Sequence, residues 1–388
     1  MTEWHMRNSL EKLLILLLVF TLTGRAIAQS GKPDGFDLAQ REAAAARPQY
    51  ATGYTVSSGP GYILATVRLH DRTVRYGLID QKSPLDSVPG ADVIIRTPVL
   101  KIAALSTTYI PSIDALGELN SLVAIDSDKW VYSPDVRNAA RKGQIAVVGS
   151  GPSVNIERLL TLQPQLIMTY TGTATAWDSY PQLKEAGLPV VLNGDFLENS
   201  PLGRSEWIKF IGLFFQKASQ AEEIFAGIAA RYQRLAARAR ARETQPEVFL
   251  NIPWGGNWAM PGGNNYSAVF LRDAGADYLW SDTETSGTLF LDFESVFARA
   301  NDAEFWLNPG MWERLSDVAR ADRRFTRFRA YRLGNIYNNN RRSTPSGGSD
   351  YFESGYLYAD RVLADLVKIF HPELVPEHRF YYYRRLPQ

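Results

Sequence analysis

The sequence predicts an α/β fold of two lobes joined by a single long helix, and three observations carry this prediction. The chain has 388 residues, which is more than one hydrophobic core usually serves. Strand-like and helix-like segments alternate in residues 51–203 and again in 244–388, as they do in parallel sheets covered by helices. Between these ranges, residues 204–243 carry apolar side chains at helical spacing and contain no strand-like segment.

The N-terminal residues have the features of an export signal. Arg7 and Lys12 accompany the apolar run LLILLLVFTL, and Ala26 and Ala28 form the A-x-A pattern of a cleavage site. We therefore expect residues 1–28 to be a cleavable signal peptide and the mature protein to be periplasmic. Because the chain has no cysteine, we expect neither a disulfide framework nor a lipid anchor.

The charge balance argues against nucleic acid as a partner. The formal net charge is +1, and charged residues make up 21% of the chain, so no strong basic field is expected. The few histidines are scattered, and no motif of a bound cofactor is present. We expect a monomer with no cofactor and no metal site of its own.

The first part of the mature chain is predicted to be an extension of the first lobe. Residues 29–50, including REAAAARPQ, predict a flexible polar lead-in. From Tyr54 to Asp80, β-formers alternate with two turn segments, which predicts an N-terminal β-hairpin extension.

The alternation that follows gives the elements of the first lobe, residues 51–203. KIAALS, LVAID, QLIMTY and PVVLN predict strands, because they are short apolar runs bounded by polar residues. IPSIDALGEL, NIERLLTL and WDSYPQLKEAG lie between them and predict helices.

A helical linker is predicted for residues 204–243. Its second part predicts a helix from about 217 to 242, roughly 38 Å long at ~1.5 Å per residue. Glu222 and Glu223 lie toward its start and several arginines crowd its end, an order that suits the helix dipole. In residues 244–388 the alternation resumes with VFLNIP, YSAVFLRDAG, FESVFARA, EFWLN, NIYNN and a last helix SGYLYADRVLADLVKIF.

Four segments together resemble a known family over about residues 98–375. They are KIAALSTTYIPSIDALGELNSLVAI, GSGPSVNIERLLTLQPQLIMTY, WAMPGGNNYSAVFLRDAGADYLW and LDFESVFARANDAEFWL. The sequence resembles the exported substrate-binding proteins of ABC importers for ferric siderophores, cobalamin and haem. The resemblance implies two Rossmann-like lobes joined by one long helix, cargo held between the lobes, and a permease dimer of the inner membrane as partner.

Two acids occupy equivalent places in the two lobes. Glu157 and Glu294 each stand near the start of a predicted helix that leads into a strand. The resemblance assigns them to permease docking, one per lobe, facing basic residues of the two permease subunits. The helix dipole favours an acid at such a position, so each residue could instead only stabilise its own helix.

Cargo residues are expected in the loops that follow the strands, because open α/β sheets bind ligands beyond the carboxyl ends of their strands. Aromatic side chains in these loops suit a bulky, flat cargo, although any one of them could fill a lobe interior instead. Arg341 and Arg342 would suit an anionic chelate. The candidate ligand-binding residues are Tyr109, Trp130, Tyr132, Tyr170, Trp254, Trp258, Asn338, Arg341 and Arg342.

The cargo class stays open at this point. A ferric siderophore or another large metal chelate is preferred because of the paired arginines, and cobalamin and haem are the alternatives. The sequence shows no catalytic motif, since it has neither H-E-x-x-H nor G-x-S-x-G, and we expect no enzyme. A hydrolase built on Glu157 and Glu294 is a remote alternative, which would need both carboxyls in one cleft, ~5–9.5 Å apart.

Overall fold

The computed structural model describes residues 35–171 and 178–388. The predicted signal peptide, residues 1–28, lies outside this range. The first described element is helix α1, Gly35–Ala45, which buries Ala39 and Ala43. The prediction of a flexible lead-in is therefore wrong for residues 35–45, because alanines on one face of this segment pack against the protein.

A four-stranded sheet follows α1 where only a β-hairpin was predicted. Strands β1 to β3 run antiparallel in sequence order, and β4 pairs parallel with β3. The strands are β1 Tyr54–Gly59, β2 Tyr62–Arg68, β3 Thr73–Asp80 and β4 Val93–Thr97. This sheet is separate from that of the first lobe, so the predicted range 51–203 holds two units. We call residues 35–97 the N-terminal module.

Lobe 1 is built on a parallel sheet of five strands in the order β7-β6-β5-β8-β9. Its strands are β5 Ile102–Ala104, β6 Leu122–Ile125, β7 Ala146–Val147, β8 Leu166–Thr169 and β9 Val190–Leu192. Its helices are α2 Ile110–Ala115, α3 Pro134–Arg141, α4 Ile156–Leu162 and α5 Tyr180–Glu185. Because the chain starts at β5 and winds first to one side and then to the other, β5 and β8 flank the topological switch point.

Two helices connect the lobes. Helix α6, Pro201–Phe214, is buried almost throughout, and helix α7, Ala218–Arg240, is the long helix predicted for residues 217–242. With 23 residues, α7 is roughly 35 Å long at ~1.5 Å per residue. None of the described helices is both long and apolar enough to cross a bilayer.

Lobe 2 repeats the doubly wound plan. Its sheet has the order β13-β10-β15-β16-β17, parallel except for the last strand, so β10 and β15 flank its switch point. The strands are β10 Glu247–Leu250, β13 Asp277–Tyr278, β15 Phe305–Leu307, β16 Ile336–Asn338 and β17 Arg384–Arg385. A small antiparallel sheet, which was not predicted, consists of β11 Pro253–Trp254, β12 Asn257–Pro261 and β14 Thr288–Leu291.

The helices of lobe 2 include the predicted segments YSAVFLRDAG, FESVFARA and SGYLYADRVLADLVKIF, and two short helices that were not predicted. They are α8 Tyr266–Asp273, α9 Phe293–Ala300, α10 Leu315–Ala321, α11 Arg329–Leu333, α12 Ser354–Leu357 and α13 Ala359–Phe370, and the two that were not predicted are α10 and α11. The predicted last helix is divided at Tyr358 into α12 and α13. The two Rossmann-like lobes and their single long connecting helix are therefore confirmed.

Buried carboxylates fix the N-terminal module to the connecting helices. Glu206 of α6 is fully buried, and it accepts hydrogen bonds from the backbone N–H groups of Gln49, Tyr50 and Ala51 at 2.6–2.9 Å. Lys209 donates to the same carboxylate at 2.9 Å, which balances its charge. Such a charged acceptor fixes three consecutive backbone groups at once.

The module also caps the long helix. The side chain of Lys217, the residue before α7, makes no cap hydrogen bond. Instead the carboxylate of Glu42 in α1 accepts from the N–H of Ala218 at 2.7 Å. Since the first N–H groups of a helix have no partner within it, and the dipole favours an anion there, Glu42 supplies the cap from a separate element.

Candidate ligand-binding site

The two switch points give the place where a ligand is expected. In lobe 2 the residues that directly follow β10 and β15 are Asn251 and Asn308, and both have left-handed backbone, with φ of 62° and 56°. Asparagine tolerates this region better than other residues with a Cβ, and such positions concentrate at functional sites. The Oδ1 atom of Asn308 is buried and has no hydrogen-bond partner within the described residues.

Large apolar side chains are exposed beside this switch point. Trp254 is 87% exposed in the hairpin after β10, and Met311 is 88% exposed in the loop after β15. The two loops are in contact, because a Cβ on Gly310 would lie 2.9 Å from Cδ1 of Ile252. Phe290 is 72% exposed on β14.

Strand register places two of these side chains, Trp254 and Phe290, on one face of the small sheet, and Met311 lies in the neighbouring loop after β15. Trp254 pairs with Asn257, and Ala259, two residues further along β12, pairs with Phe290. Paired residues of an antiparallel ladder lie on the same face, as do residues two apart on one strand. Trp254 and Phe290 are therefore on the same face of the small sheet. We call Trp254, Phe290 and Met311 the apolar surface of lobe 2.

The corresponding edge of lobe 1 carries hydroxyl and carboxyl groups. Tyr170, directly after β8, is half-buried and packs edge-to-face on Phe196 at 6.1 Å between ring centroids. Burial raises the pKa of Asp126, directly after β6, to about 6. Burial likewise raises the pKa of Asp195, after β9, to about 6.

A second set of contacts closes the lobes on each other. The carboxylate of Glu353 in lobe 2 accepts from the backbone N–H groups of Tyr132 and Ser133 in lobe 1, at 2.6 and 2.9 Å. Ser133 is the N-cap residue of α3, so an anion from one lobe occupies the positive end of a helix in the other. We call residues 129–133 and 342–353 the lobe clasp.

Three predicted cargo residues belong to this clasp. The guanidinium of Arg342 lies 4.9 Å from the ring centroid of Tyr132 and 4.3 Å from that of Tyr381, and it is paired with Asp350 at 2.5 Å. Trp130 lies against Gly347, where a Cβ would come within 2.8 Å of its ring. Arg342 is thus already neutralised, which removes the reason for expecting it to bind an anionic chelate.

Three other predicted cargo residues are buried. Tyr109 is 1% exposed, in a turn against which α12 of lobe 2 packs. Trp258 is fully buried among Phe249, Trp306 and Phe328. The interior alternative is therefore correct for Trp258.

Asn338 is also fully buried, and its amide donates to the carbonyl oxygens of Gly310 and Trp312. Its side chain supports the loop that carries Met311, a residue which the sequence analysis missed. Arg341 is exposed in the loop after β16, and its backbone N–H donates to the carbonyl oxygen of Tyr382 at 3.0 Å. Of the nine predicted residues, Trp254 and Tyr170 lie at the switch points and are accessible.

Glu157 and Glu294 occupy matching positions. Each is an exposed residue in the first turn of its helix, two residues after an N-cap side chain, Asn155 or Asp292, that accepts from the backbone. Glu294 also pairs with Arg324 at 3.2 Å. Both acids are therefore exposed at a helix start, and their role in permease docking stays a prediction.

Two surface hollows lie away from the switch points. One, of about 660 Å³, lies between α1 and the sheet of the N-terminal module; the other, of about 410 Å³, lies between that sheet and α5. Neither is lined by the loops after β5, β8, β10 or β15. Within the described residues, no three His, Cys, Asp or Glu side chains converge as a metal site.

Solved structures share this fold. A possible iron-binding periplasmic solute-binding protein from Staphylococcus epidermidis matches with a TM-score of 0.55 and 18% identity, over 70% of this chain and 99% of that one. A periplasmic heme-binding protein from Pseudomonas aeruginosa matches with a TM-score of 0.53 and 21% identity, over 71% and 93%. These identities establish the fold alone.

Sequence comparison gives the family. An uncharacterized lipoprotein of Methanocaldococcus jannaschii is 27% identical over 295 residues, which are 72% of this chain and 67% of that protein. The family model described as periplasmic binding protein matches residues 102–340, from the first residue of β5 to the loop after β16. The N-terminal module precedes the matched region. With more than half of its length matched, the chain belongs to the periplasmic binding protein family.

Proposed function

We propose that the protein captures a ferric siderophore or a related large metal chelate between its lobes and delivers it to an ABC importer of the inner membrane. One observation carries the proposal most directly. Trp254 and Met311, both almost fully exposed, stand in the loops after β10 and β15, where an open α/β sheet binds its ligand. Large exposed apolar side chains grouped at such a place mark an interaction surface.

The size of the expected contact supports a bulky cargo. Covering one tryptophan removes ~150–250 Å² from water, and at ~25 cal/mol per Å² this contributes on the order of 4 kcal/mol before ordering costs. That amount corresponds to roughly three orders of magnitude in Kd. A small ion would not cover this surface, whereas a chelate with a flat apolar face would.

Delivery would use the two exposed acids. Glu157 and Glu294 stand in matching first turns, one in each lobe, where the helix dipole favours a negatively charged side chain. A two-fold symmetric permease can contact both, and so hold the two lobes together. If each acid only stabilises its own helix, its replacement should leave transport unchanged.

Cobalamin and haem remain the alternative cargoes of the same importer class. A two-carboxylate hydrolase is less well supported, because Glu157 and Glu294 are exposed on separate lobes rather than enclosed in one cleft. We also propose that residues 1–28 are removed on export and that the mature monomer diffuses freely. N-terminal sequencing of exported protein checks this step.

Intrinsic tryptophan fluorescence tests the binding proposal. The mature protein is titrated with ferric siderophores, cobalamin and haem, and we expect saturable quenching by one of these classes. The Trp254→Ala variant, titrated in parallel, should bind the same compound more weakly. Absence of saturable binding by all three classes, checked by calorimetry, would overturn the proposal.

A further inference from the structure

The residues that follow the strands most directly at both switch points are uncharged. In lobe 1 they are residues 106–109 after β5 and residues 170–171 after β8, which supply hydroxyl groups. In lobe 2 they are residues 251–254 and 308–312, which supply two asparagine amides, the indole of Trp254 and the thioether of Met311.

The lobe 1 edge carries two carboxylates, one directly after β6 and one in the loop after β8. Asp126 follows β6 and is half-buried, with the N–H of Ser127 as its hydrogen-bond donor. Asp178 accepts from the hydroxyl of Thr171 and the N–H of Tyr180. An anionic cargo at this switch point would therefore meet carboxylates.

Some cations near the gap are paired elsewhere and others lie to the side. Among the latter, Arg137 of α3 follows β6, and its buried Nε atom has no hydrogen-bond partner within the described residues. Arg342 is paired with Asp350 in the lobe clasp. Arg204 donates to the carbonyl oxygens of Glu198 and Phe196 and to the hydroxyl of Tyr356, and it stacks 3.5 Å from the ring centroid of Tyr266. Arg341 and Lys129 are exposed, but they follow β16 and β6, one strand away from each switch point.

We infer that the cargo is a neutral or cationic chelate, with an apolar face and with amide or hydroxyl groups, and not a polyanionic one. The inference rests on the proposed function and narrows its cargo class. Enclosing a carboxylate without a cation costs several kcal/mol, whereas amides and hydroxyls find partners among the serine, threonine and asparagine side chains. Trp254 and Met311 accept the apolar face. The earlier expectation of an anionic chelate, which was based on the adjacent Arg341 and Arg342, is thereby reversed.

The test compares four iron or cobalt compounds in quenching titrations of the mature protein. Ferrioxamine B and cyanocobalamin are the cationic and neutral probes, and haem and ferric dicitrate are the anionic probes. We expect ferrioxamine B or cyanocobalamin to bind at least about tenfold more tightly than both anionic probes, with little loss between 0.05 and 0.5 M salt, since no ion pair holds it. Met311→Lys, which adds a cation at the lobe 2 switch point, should reduce this ratio.

Arg341→Gln serves as the matched control, because it removes an exposed cation beside the site and should change binding of the preferred probe less than about twofold. Tightest binding by an anionic probe, with a steep loss in Arg341→Gln or at high salt, would overturn the inference while leaving the proposed function standing. Failure of all four probes to bind would overturn both.

Discussion

The carboxylate of Glu353 in lobe 2 and the backbone N–H of Tyr132 in lobe 1 are joined by a hydrogen bond of 2.6 Å. The pair is 221 residues apart in sequence, and Glu353 is only 3% exposed. Burial raises the pKa of Glu353 to about 7, although the two N–H donors oppose this shift. The contact therefore joins the lobes through an acid that titrates near neutral pH.

Stability should fall as pH rises through this range. Because the folded chain holds the Glu353 proton more tightly than the unfolded chain, the contribution is fully present below about pH 4.5 and is lost as pH rises through about 7. We expect the free energy of unfolding to decrease between pH 5 and pH 8, with on the order of 2–3 kcal/mol from this group. Asp126 and Asp195 act in the same direction. Urea unfolding at each pH measures the effect.

Glu353→Gln is the control for this prediction. The amide keeps one acceptor oxygen, for the N–H of either Tyr132 or Ser133, and carries no titrating proton. The variant is therefore compared by the pH dependence of its stability and not by its absolute stability. Its unfolding free energy should decrease less over the same pH range. An equal decrease in both proteins would show that Glu353 titrates in the clasp as it does in the unfolded chain.

Two tryptophans four residues apart should behave oppositely. Trp254 is 87% exposed, so Trp254→Ala should weaken cargo binding by tenfold or more and leave the thermal midpoint of the free protein nearly unchanged. Trp258 is fully buried, so Trp258→Ala should cost about 3–5 kcal/mol of unfolding free energy. Calorimetric melts measure the stability of both variants, and quenching titrations measure their affinity for the cargo. A large loss of stability in Trp254→Ala with unaltered affinity would remove this residue from the site.

Permease docking should depend on Glu157 and Glu294 but cargo affinity should not. Each alanine variant should reduce stimulation of the importer ATPase in vesicles, the double variant should reduce it further, and Lys should be worse than Ala, since it sets cation against cation. Glu185, an exposed acid at the other end of a lobe 1 helix, gives the control variant Glu185→Ala. Unchanged docking and salt dependence in the double variant would reduce both acids to helix-start residues.

Removal of the Glu206 carboxylate should release the N-terminal module. Glu206→Ala leaves three backbone N–H groups without an acceptor and takes one partner from buried Lys209, which should cost about 3–5 kcal/mol. Amide hydrogen exchange should accelerate at residues 49–51. Glu222→Ala is the matched control, because Glu222 also pairs with Lys209 but makes no contact with that backbone in the hydrogen bonds described. Comparable exchange in both variants would contradict the assignment.

The sequence predicted the longer elements of the lobes, because each depends on local periodicity, and missed short ones such as α3, β7, α10 and α11. KIAALS became β5, and the helix expected at 217–242 is Ala218–Arg240. The small sheet was not predicted, because its strands are two to five residues long and β12 pairs with β14 about 30 residues further along the chain.

The site was predicted less completely, because residues of the same type lie either in the site or in the interior, depending on strand register and on contacts far along the chain. Trp254 and Trp258 stand on either side of a tight turn, and only the pairing of Pro253 with Trp258 places them on opposite faces. Arg341 and Arg342 are adjacent, yet one is exposed and the other meets Asp350 and a ring from the other lobe. Met311 gave no signal, since a lone methionine in a loop has no pattern around it.

The attachment of the N-terminal module has a consequence for the order in which the protein is completed. The module is the first described part of the chain to be synthesised, yet its acceptor Glu206 follows Gln49 by 157 residues. Its helix α1 likewise meets Ala218 only 176 residues after Glu42. Contacts of such long range form late. The segment that emerges first is therefore among the last to become fixed, and until α6 and the start of α7 have followed it, the module has no place to dock.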